Sequence, residues 1–466
     1  MEWKRVHFVG IGGYGMSALA RVLLESGIEV TGSDIESNAL VQGLLQRGAR
    51  VKIGHAPGNV GNADALVYSS SITRQNVEIQ AARAMNLPIL HRSELLARLL
   101  NARRGIAVAG AHGKTTTSAM IAQTMVLCGL DPTYVIGGEV VGLRSNARAG
   151  KGAYVVAEAD ESDGTFLAYY PHIVVITNIE ADHLENYGGD FSRLREAYRQ
   201  FLCQMDPDGL AVLCVDDEHT RSLVHEVEGP VVTYAARSPA DYVIHQPISM
   251  PDGIGFQIFH HHQTLGTLAL KKPGIHNAAN ALAAAIVCLH LGLSLPNIAV
   301  ALQNFSGAKR RFQLIGEGDG VVVIDDYAHH PTEIQATLQA TREWQGGRSS
   351  SGRLIVLFQP QRYSRTALFM DRFAASFALA DQVLIAPIYA PPGEQPLPGV
   401  TSERLVADIV RTSNAATQLV YNHSEAVQVL SSIVRPGDVV LVMGAGDIWR
   451  VASPLVQVLQ ERSVQS

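Results

Sequence analysis

One stretch constrains this chain more than any other: Gly105-Ile-Ala-Val-Ala-Gly110-Ala111-His112-Gly113-Lys114-Thr115-Thr116-Thr117. Small and β-branched residues over 105–109 predict a short buried strand. Glycines at both ends of 110–113 predict a tight turn. Apolar spacing over 115–130 predicts a helix. A strand that turns on glycines into a helix presents backbone N–H groups to a phosphate at the helix N-terminus. There the Lys114 ammonium would reach the terminal phosphates and the Thr115 hydroxyl would hold Mg2+. Two residues separate Gly110 from Gly113, where four is the usual spacing. The competing reading is an ordinary strand-to-helix turn with a surface lysine. Either way Lys114 is expected to be exposed.

A chain of 466 residues suits roughly three domains. Its 47% hydrophobic and 17% charged residues place it in the globular class, and a net charge of −6 argues against a nucleic-acid-binding face. The four cysteines, Cys128, Cys203, Cys214 and Cys288, lie far apart in apolar stretches. They suit buried free thiols in a reducing compartment, not a disulfide framework or zinc site. The chain enters its first strand, 6–9, with no signal-peptide pattern. The longest apolar stretch, 278–293, is broken by Asn280 and His290 and is too short to cross a bilayer. A cytoplasmic protein without membrane insertion is expected.

Residues 4–34 read as strand, glycine turn, helix, strand. The turn is Gly10-Ile-Gly12-Gly13-Tyr-Gly15-Met16-Ser17, and the next strand ends in Gly32-Ser33-Asp34. Glycines let a phosphate approach closely, and an acidic residue about 20 positions on suits a ribose hydroxyl. A ligand-free turn, with Asp34 as a helix N-cap, is the alternative. Strands at 65–68 and 88–90 lead into Ser69-Ser70-Ser71 and His91-Arg92-Ser93. Strand carboxyl ends are where open α/β sheets bind ligands. Ser71 and Ser93 as plain helix caps compete with that reading.

In the middle of the chain, a strand at 154–157 ends in Glu158-Ala-Asp160-Glu161-Ser-Asp163. Another at 173–176 ends in Thr177-Asn178-Ile-Glu180-Ala-Asp182-His183. Both endings can face the phosphate turn. Glu158 is a candidate Mg2+ ligand and His183 a candidate for a second cation; Asp160, Glu161 and Asp163 read equally as ligands or as a solvated loop. Residues 206–270 look β-rich. Within them, His260-His261-His262 would point to alternate faces of a strand, so exposure is expected rather than metal binding. Asn277 and Asn280 share a helical face suited to a base or ribose, with N-capping as the alternative. Beyond Lys309-Arg310-Arg311-Phe312, strands at 321–324, 354–358, 383–386 and 439–443 predict a last α/β unit. Its strand ends carry Asp326-Tyr-Ala-His329 and Arg362-Tyr-Ser-Arg365, and such arginines bind carboxylates or phosphates.

Together, Gly110-Ala-His-Gly-Lys-Thr-Thr, Glu158-Ala-Asp-Glu-Ser-Asp, Asn178-Ile-Glu-Ala-Asp-His183, His276-Asn277-x-x-Asn280, Arg311 and Asp326-Tyr-Ala-His-His-Pro resemble the Mur ligases of peptidoglycan synthesis. The likeness runs in order from Val6 to Gly446. It implies a three-domain α/β fold: a Rossmann-like UDP-substrate domain (1–98), a central P-loop ATPase domain (99–310) and a C-terminal Rossmann-like amino-acid domain (311–466). It implies ATP and Mg2+ as cofactors and an acyl-phosphate mechanism. Gly110 to Thr116 would cradle ATP. Thr115 and Glu158 would hold one Mg2+, with His183 helping at the other. Asn277 and Asn280 would contact adenine, Asp326 the ribose and Arg311 the phosphates. Lys114, Glu158, His183 and Arg311 form the implied catalytic set. Gly12, Gly13, Gly15, Met16, Ser17, Asp34, Ser70, His91 and Arg92 would line the UDP site; His329, Arg362 and Arg365 would border the amino acid. The glycine turn, His91-Arg92 and the stretch 178–189 are most similar to members that join L-alanine to UDP-N-acetylmuramate. These two small molecules are the implied partners of a monomer or weak homodimer. A recycling member that adds a peptide to the same sugar nucleotide is the alternative.

Departures from the family pattern are Ala111, where threonine is common, and Gln361, where histidine is common. The stretch 191–201 contains no lysine, so the carbamylated lysine of several relatives is expected to be absent. A dehydrogenase using the first glycine turn would not need Gly113-Lys114-Thr115. A nucleotide switch would not need a uridine-nucleotide domain in front.

Overall fold

The computed structural model describes residues 3–348, 352–391, 393–413 and 416–465, apart from the side chains of Asp163, Val464 and Gln465. The chain divides into two units, residues 1–243, 260–263 and 280–302 forming one, and 244–259, 264–279 and 303–466 the other.

The first sheet joins β1 (Arg5–Val9), β2 (Glu29–Asp34), β3 (Arg50–Ile53), β4 (Ala65–Tyr68) and β5 (Ile89–His91), all parallel, in the order β3-β2-β1-β4-β5. The chain order reverses beside β1, which opens a crevice at the strand carboxyl ends. Beneath that crevice lies a buried polar group that the sequence does not advertise. Glu78, fully buried, accepts from Ser33 Oγ (2.5 Å), Asn59 Nδ2 (2.6 Å) and the Ala56 N–H (3.1 Å), and its Oε2 lies 3.1 Å from His7 Nε2. Burial alone would raise its pKa, but hydrogen bonds from His7, Ser33, Asn59 and Ala56 hold it down at about 2. A depressed carboxylate stabilises the fold above its unfolded pKa and loses that stabilisation as pH falls through the folded value. We expect Glu78 to contribute about 3 kcal/mol at neutral pH, lost between roughly pH 4.5 and 2. Urea melts of the wild type and Glu78→Gln across that range check this; parallel curves would remove the assignment.

The main part of the ten-stranded central sheet runs β12-β11-β10-β6-β9-β7-β8. Its strands are β6 (Arg104–Ala109), β7 (Thr133–Val140), β8 (Ser145–Arg148), β9 (Tyr154–Glu158), β10 (Ile173–Ile176), β11 (Leu210–Cys214) and β12 (Val231–Ala235). β6 lies between β9 and β10 and is parallel to both; β8 is antiparallel to β7. Ile106 to Ala109 are fully buried, as a parallel strand covered on both faces requires. The division between the units runs through the meander β13 (Tyr242–Met250), β14 (Gly253–His260) and β15 (Gln263–Leu270). The three histidines do not share a strand. His260 ends β14, while His261 (φ 46°) and His262 (φ 66°) form the exposed two-residue turn, whose left-handed geometry matches strand twist.

Helix Tyr14–Glu25, which follows the first glycine turn, packs against β7 and β8. Val135 and Ala147 enter the same core as Leu19 and Leu23. Arg21 Nη1 donates to Ser145 Oγ (2.6 Å), and the Ala149 N–H to Glu25 Oε2 (2.9 Å).

The third sheet, β16-β17-β21-β18-β19-β20, comprises β16 (Gln313–Gly318), β17 (Val321–Asp326), β18 (Leu354–Phe358), β19 (Gln382–Ile385), β20 (Ala416–Leu419) and β21 (Val439–Met443). Phe358, Phe373 and Phe377 fill one face; Leu430, Leu455 and Leu459 fill the other. Among the described residues no helix is long and apolar enough to cross a membrane. All four cysteines are free, but only Cys214 and Cys288 are buried as expected; Cys128 is partly buried and Cys203 exposed.

Candidate active site

The turn after β6 is shaped by its glycines and clamped by β10. Gly110 has φ 132°, and a Cβ there would overlap the Thr177 hydroxyl. Gly113 has φ 84°, and a Cβ there would lie 2.7 Å from Asn280 Oδ1. Both positions therefore need glycine. Thr177 Oγ1 donates to the His112 carbonyl (2.5 Å). Asn178 accepts from the His112 N–H (2.9 Å) and returns a bond from Nδ2 to the His112 carbonyl (3.0 Å). The Ala111 N–H donates to the Asn178 carbonyl (3.2 Å). Thr177 and Asn178, read from sequence as part of a polar strand ending, serve to hold the turn. His112 Nε2 lies 3.4 Å from Glu180 Oε1.

Lys114 is not exposed, contrary to expectation. Its side chain is 15% exposed and pairs with Glu161, which is 3% exposed. Nζ lies 2.9 and 2.8 Å from the two carboxylate oxygens and donates to the Gly110 carbonyl (2.5 Å). Burial works against the charge, but Glu161 and then Asp160 outweigh it, so the Lys114 pKa is raised. The sequence did not single out Glu161, because an acidic run at a strand end reads equally as a solvated loop.

Glu158, at the end of β9, accepts from the Gly137 N–H through Oε1 (2.6 Å) and from the Thr115 hydroxyl through Oε2 (3.1 Å). The expectation that Thr115 and Glu158 share a Mg2+ ion can be set against the geometry of this pair. Adjacent oxygens of an octahedral Mg2+ shell stand about 3.0 Å apart, given metal–oxygen distances of about 2.1 Å. A hydroxyl and a carboxylate oxygen at 3.1 Å fit. His183 stands elsewhere in this cluster. Its Nε2 is 3.6 Å from Asp182 and its Nδ1 3.7 Å from Glu185, and its charge helps lower the Asp160 pKa after Lys114 and Ser162 have offset burial.

The first crevice gathers most of its expected residues. Asp34 Oδ2 accepts from the Gly12 N–H (2.7 Å), and Asn38 Nδ2 donates to the Gly12 carbonyl (3.1 Å). The helix cap is Asn38, not Asp34. Ser70 Oγ lies 3.0 Å from His91 Nε2, and Arg92 Nη1 approaches Gly15. Gly13 is the N-cap of the helix that follows. Met16 is turned into the core, and Ser17 Oγ donates to the Tyr14 carbonyl. The N-caps here are Asn76 and His91, against the alternative reading of Ser71 and Ser93 as helix caps.

In the other unit, Asp326 accepts from the Phe312 N–H (2.6 Å) and the Ala328 N–H (2.8 Å). Burial raises its pKa against the pull of Arg311. Arg311 lies over the Tyr327 ring with Nη1 3.6 Å from Glu333. Lys272, which the sequence did not flag, donates to the Phe312 carbonyl (2.8 Å), and burial lowers its pKa to about 8. Asn277 Nδ2 donates to the Pro273 carbonyl (2.7 Å). His329 Nδ1 lies 2.9 Å from the Tyr327 carbonyl. Arg365 is buried and bonded to Gln361, whereas Arg362 is half-buried at φ 70°. The side chain of Asp163 lies outside the described residues.

Three family models match in succession: "Mur ligase family, catalytic domain" over residues 5–104, "Mur ligase middle domain" over 108–288 and "Mur ligase, glutamate ligase domain" over 310–446. The chain is also 46% identical to the UDP-N-acetylmuramate–L-alanine ligase of Symbiobacterium thermophilum, over 100% of this chain and 96% of that one. The chain belongs to the Mur ligase family. A second relative of the same name, from Desulforamulus reducens, is 44% identical over 98% of each chain. The crystal structure of UDP-N-acetylmuramate-alanine ligase from Thermotoga maritima superposes with TM-score 0.82 at 30% identity, covering 98% of this chain and 99% of that one. A murein peptide ligase from Psychrobacter arcticus shares the fold, with TM-score 0.69 at 23% identity over 98% of each chain. The three sheets are thus those of a three-domain Mur ligase, and the clamped turn, Lys114 and the Thr115–Glu158 pair lie in its middle-domain match.

Proposed function

We propose that this Mur ligase joins L-alanine to the carboxylate of UDP-N-acetylmuramate at the expense of ATP, supplying a peptidoglycan precursor. The observation that carries this reading is the Thr115–Glu158 oxygen pair beside Lys114, on a chain related end to end to ligases of that name. The substrate carboxylate attacks the γ-phosphorus, forming an acyl phosphate as the bond to the β-bridging oxygen breaks and ADP leaves. The alanine nitrogen then attacks the acyl carbon, phosphate departs with the bonding pair, and the nitrogen loses a proton. Mg2+, held by Thr115 and Glu158 with His183 serving a second ion, would offset the repulsion between carboxylate and polyanion. Lys114 supplies a fixed positive charge over the Gly110–Gly113 turn, which acts where charge develops.

Asp34, Ser70, His91, Arg92 and the glycine-turn backbone would border the UDP moiety, and Asn280 the nucleotide at Gly113. Arg311 and Asp326 would serve the phosphates and ribose. His329 and Arg362 would take the amino acid; Arg365, buried against Gln361, supports that region from beneath. The three functions would be divided over 1–98, 99–310 and 311–466. ATP and the UDP-sugar are cytoplasmic metabolites, which places the reaction in the cytoplasm.

The test supplies UDP-N-acetylmuramate and ATP with equal concentrations of L-alanine, glycine, L-serine or a peptidoglycan tripeptide and follows ADP release. L-Alanine should give the highest kcat/KM. Glycine should fall below it by the ~1–3 kcal/mol that one methylene is worth, with L-serine also weak. Tripeptide should be inactive. A tripeptide that outruns L-alanine would move the chain to the recycling branch.

A further inference from the structure

Lys272 precedes the helix Ile275–His290 and is buried, with 9% exposure. Its Nζ donates to the carbonyls of Phe312 (2.8 Å) and Arg311 (3.3 Å). There is room for it because residue 307 is glycine: a Cβ there would lie 2.7 Å from Nζ. A buried ammonium persists only where it is hydrogen-bonded, and here its partners are consecutive carbonyls of one turn. The backbone of that turn is strained. Arg310 (φ 59°) and Phe312 (φ 46°) both take the left-handed region, which bulky residues keep only where surrounding bonds hold them there. The Arg310 carbonyl accepts from the Tyr327 N–H (2.7 Å), and the Arg310 N–H donates to Gln313 Oε1 (2.8 Å). The Arg311 N–H donates to the Ala308 carbonyl (3.2 Å), and the Phe312 N–H to Asp326 Oδ2 (2.6 Å). Between the two left-handed residues stands Arg311, its guanidinium over the Tyr327 ring.

Resting on the function proposed above, in which Arg311 serves the ATP phosphates, we propose that Lys272 is a positioning residue for nucleotide binding: its ammonium, bound to the Arg311 and Phe312 carbonyls, fixes the turn that presents the Arg311 guanidinium. The chemistry suits the task. Hydrogen bonds from a charged donor are roughly twice as strong as neutral ones, so one ammonium on two carbonyls can hold a backbone that would otherwise relax. Lys272 and Asp326 also grip the Phe312 peptide from its two ends, one at the carbonyl and one at the N–H of the same residue. The two side chains assigned to the phosphates and the ribose are thereby tied to one turn, and a lysine that touches no substrate sets where the guanidinium stands.

The experiment measures steady-state kinetics and melting temperatures of full-length wild type, Lys272→Met, Arg311→Met and the double variant. Lys272→Met keeps an apolar stem and removes the ammonium. It should raise KM for ATP about tenfold and leave KM for UDP-N-acetylmuramate unchanged. Because Lys272 acts through Arg311, the double variant should match Arg311→Met instead of multiplying the two effects. Lys272→Gln, too short to reach both carbonyls, gives the same readout should the methionine variant not fold. Effects that multiply, an equal rise in both KM values, or a lower melting temperature with both KM values kept, would make Lys272 a structural tie and overturn the proposal, leaving the role of Arg311 standing. An unchanged KM for ATP in Arg311→Met overturns the proposal together with the phosphate role assigned to Arg311.

Discussion

Lys114→Met should reduce kcat for ADP release at least about 10²-fold, because a fixed cation facing transferring phosphate is worth several kcal/mol in the transition state. It should also destabilise the protein, an effect its sequence position does not suggest. Glu161 is 3% exposed and has Lys114 as its charged partner at 2.8 Å. Removing one member of a buried pair leaves an uncompensated charge, at a cost of about 3–5 kcal/mol. Without its partner, Glu161 would have a folded pKa above the unfolded one. The variant's deficit should therefore be full at neutral pH and shrink as pH falls toward the ordinary carboxylate range. The double variant Lys114→Met/Glu161→Gln separates the two roles. Its melting temperature should recover much of the loss, since both charges are gone, while its turnover stays low. Recovery of activity along with stability would mean that Lys114 acts only as a structural counter-ion.

Glu158→Gln is the second large effect. The amide keeps a carbonyl oxygen for the Gly137 N–H, so the end of β9 should hold its place. It loses the anionic oxygen that lies 3.1 Å from the Thr115 hydroxyl. We expect the Mg2+ concentration for half-maximal activity to rise at least about tenfold and kcat at saturating Mg2+ to fall about 10²-fold, because a neutral oxygen is a poorer ligand for a hard cation. Thr115→Val, which removes the other oxygen, should shift the Mg2+ requirement the same way. Unaltered Mg2+ titrations in both variants would place the metal elsewhere.

How far these residues were legible in the sequence differs case by case. The strands at 65–68, 173–176, 354–358 and 439–443 fall where apolar runs put them, because parallel strands covered on both faces are apolar throughout. β3 and β16 were missed: β3 (Arg-Val-Lys-Ile) is largely exposed, and β16 is interrupted by glycine, so neither carries such a run. Of the histidine triplet, His261 and His262 are exposed as expected, but because they make the turn rather than continue a strand, while His260 is partly buried at the end of β14 and stacked on Tyr242.

The sequence by itself determined what depends on near neighbours in the chain: strand, glycine turn and helix around Lys114, the glycine turn after β1, and which carboxylates and histidines end strands. The tertiary structure alone decided who meets whom. Lys114 finds Glu161 47 residues on, Glu158 finds Gly137, and Thr177 and Asn178 close over His112. These partners come together because β9 and β10 flank β6 in parallel register, so three strand endings distant in the chain open on one edge. The Glu78 network follows likewise from packing between elements. Local spacing sets backbone conformation within a few residues, whereas a hydrogen bond across a sheet depends on strand order and register, which no short stretch encodes.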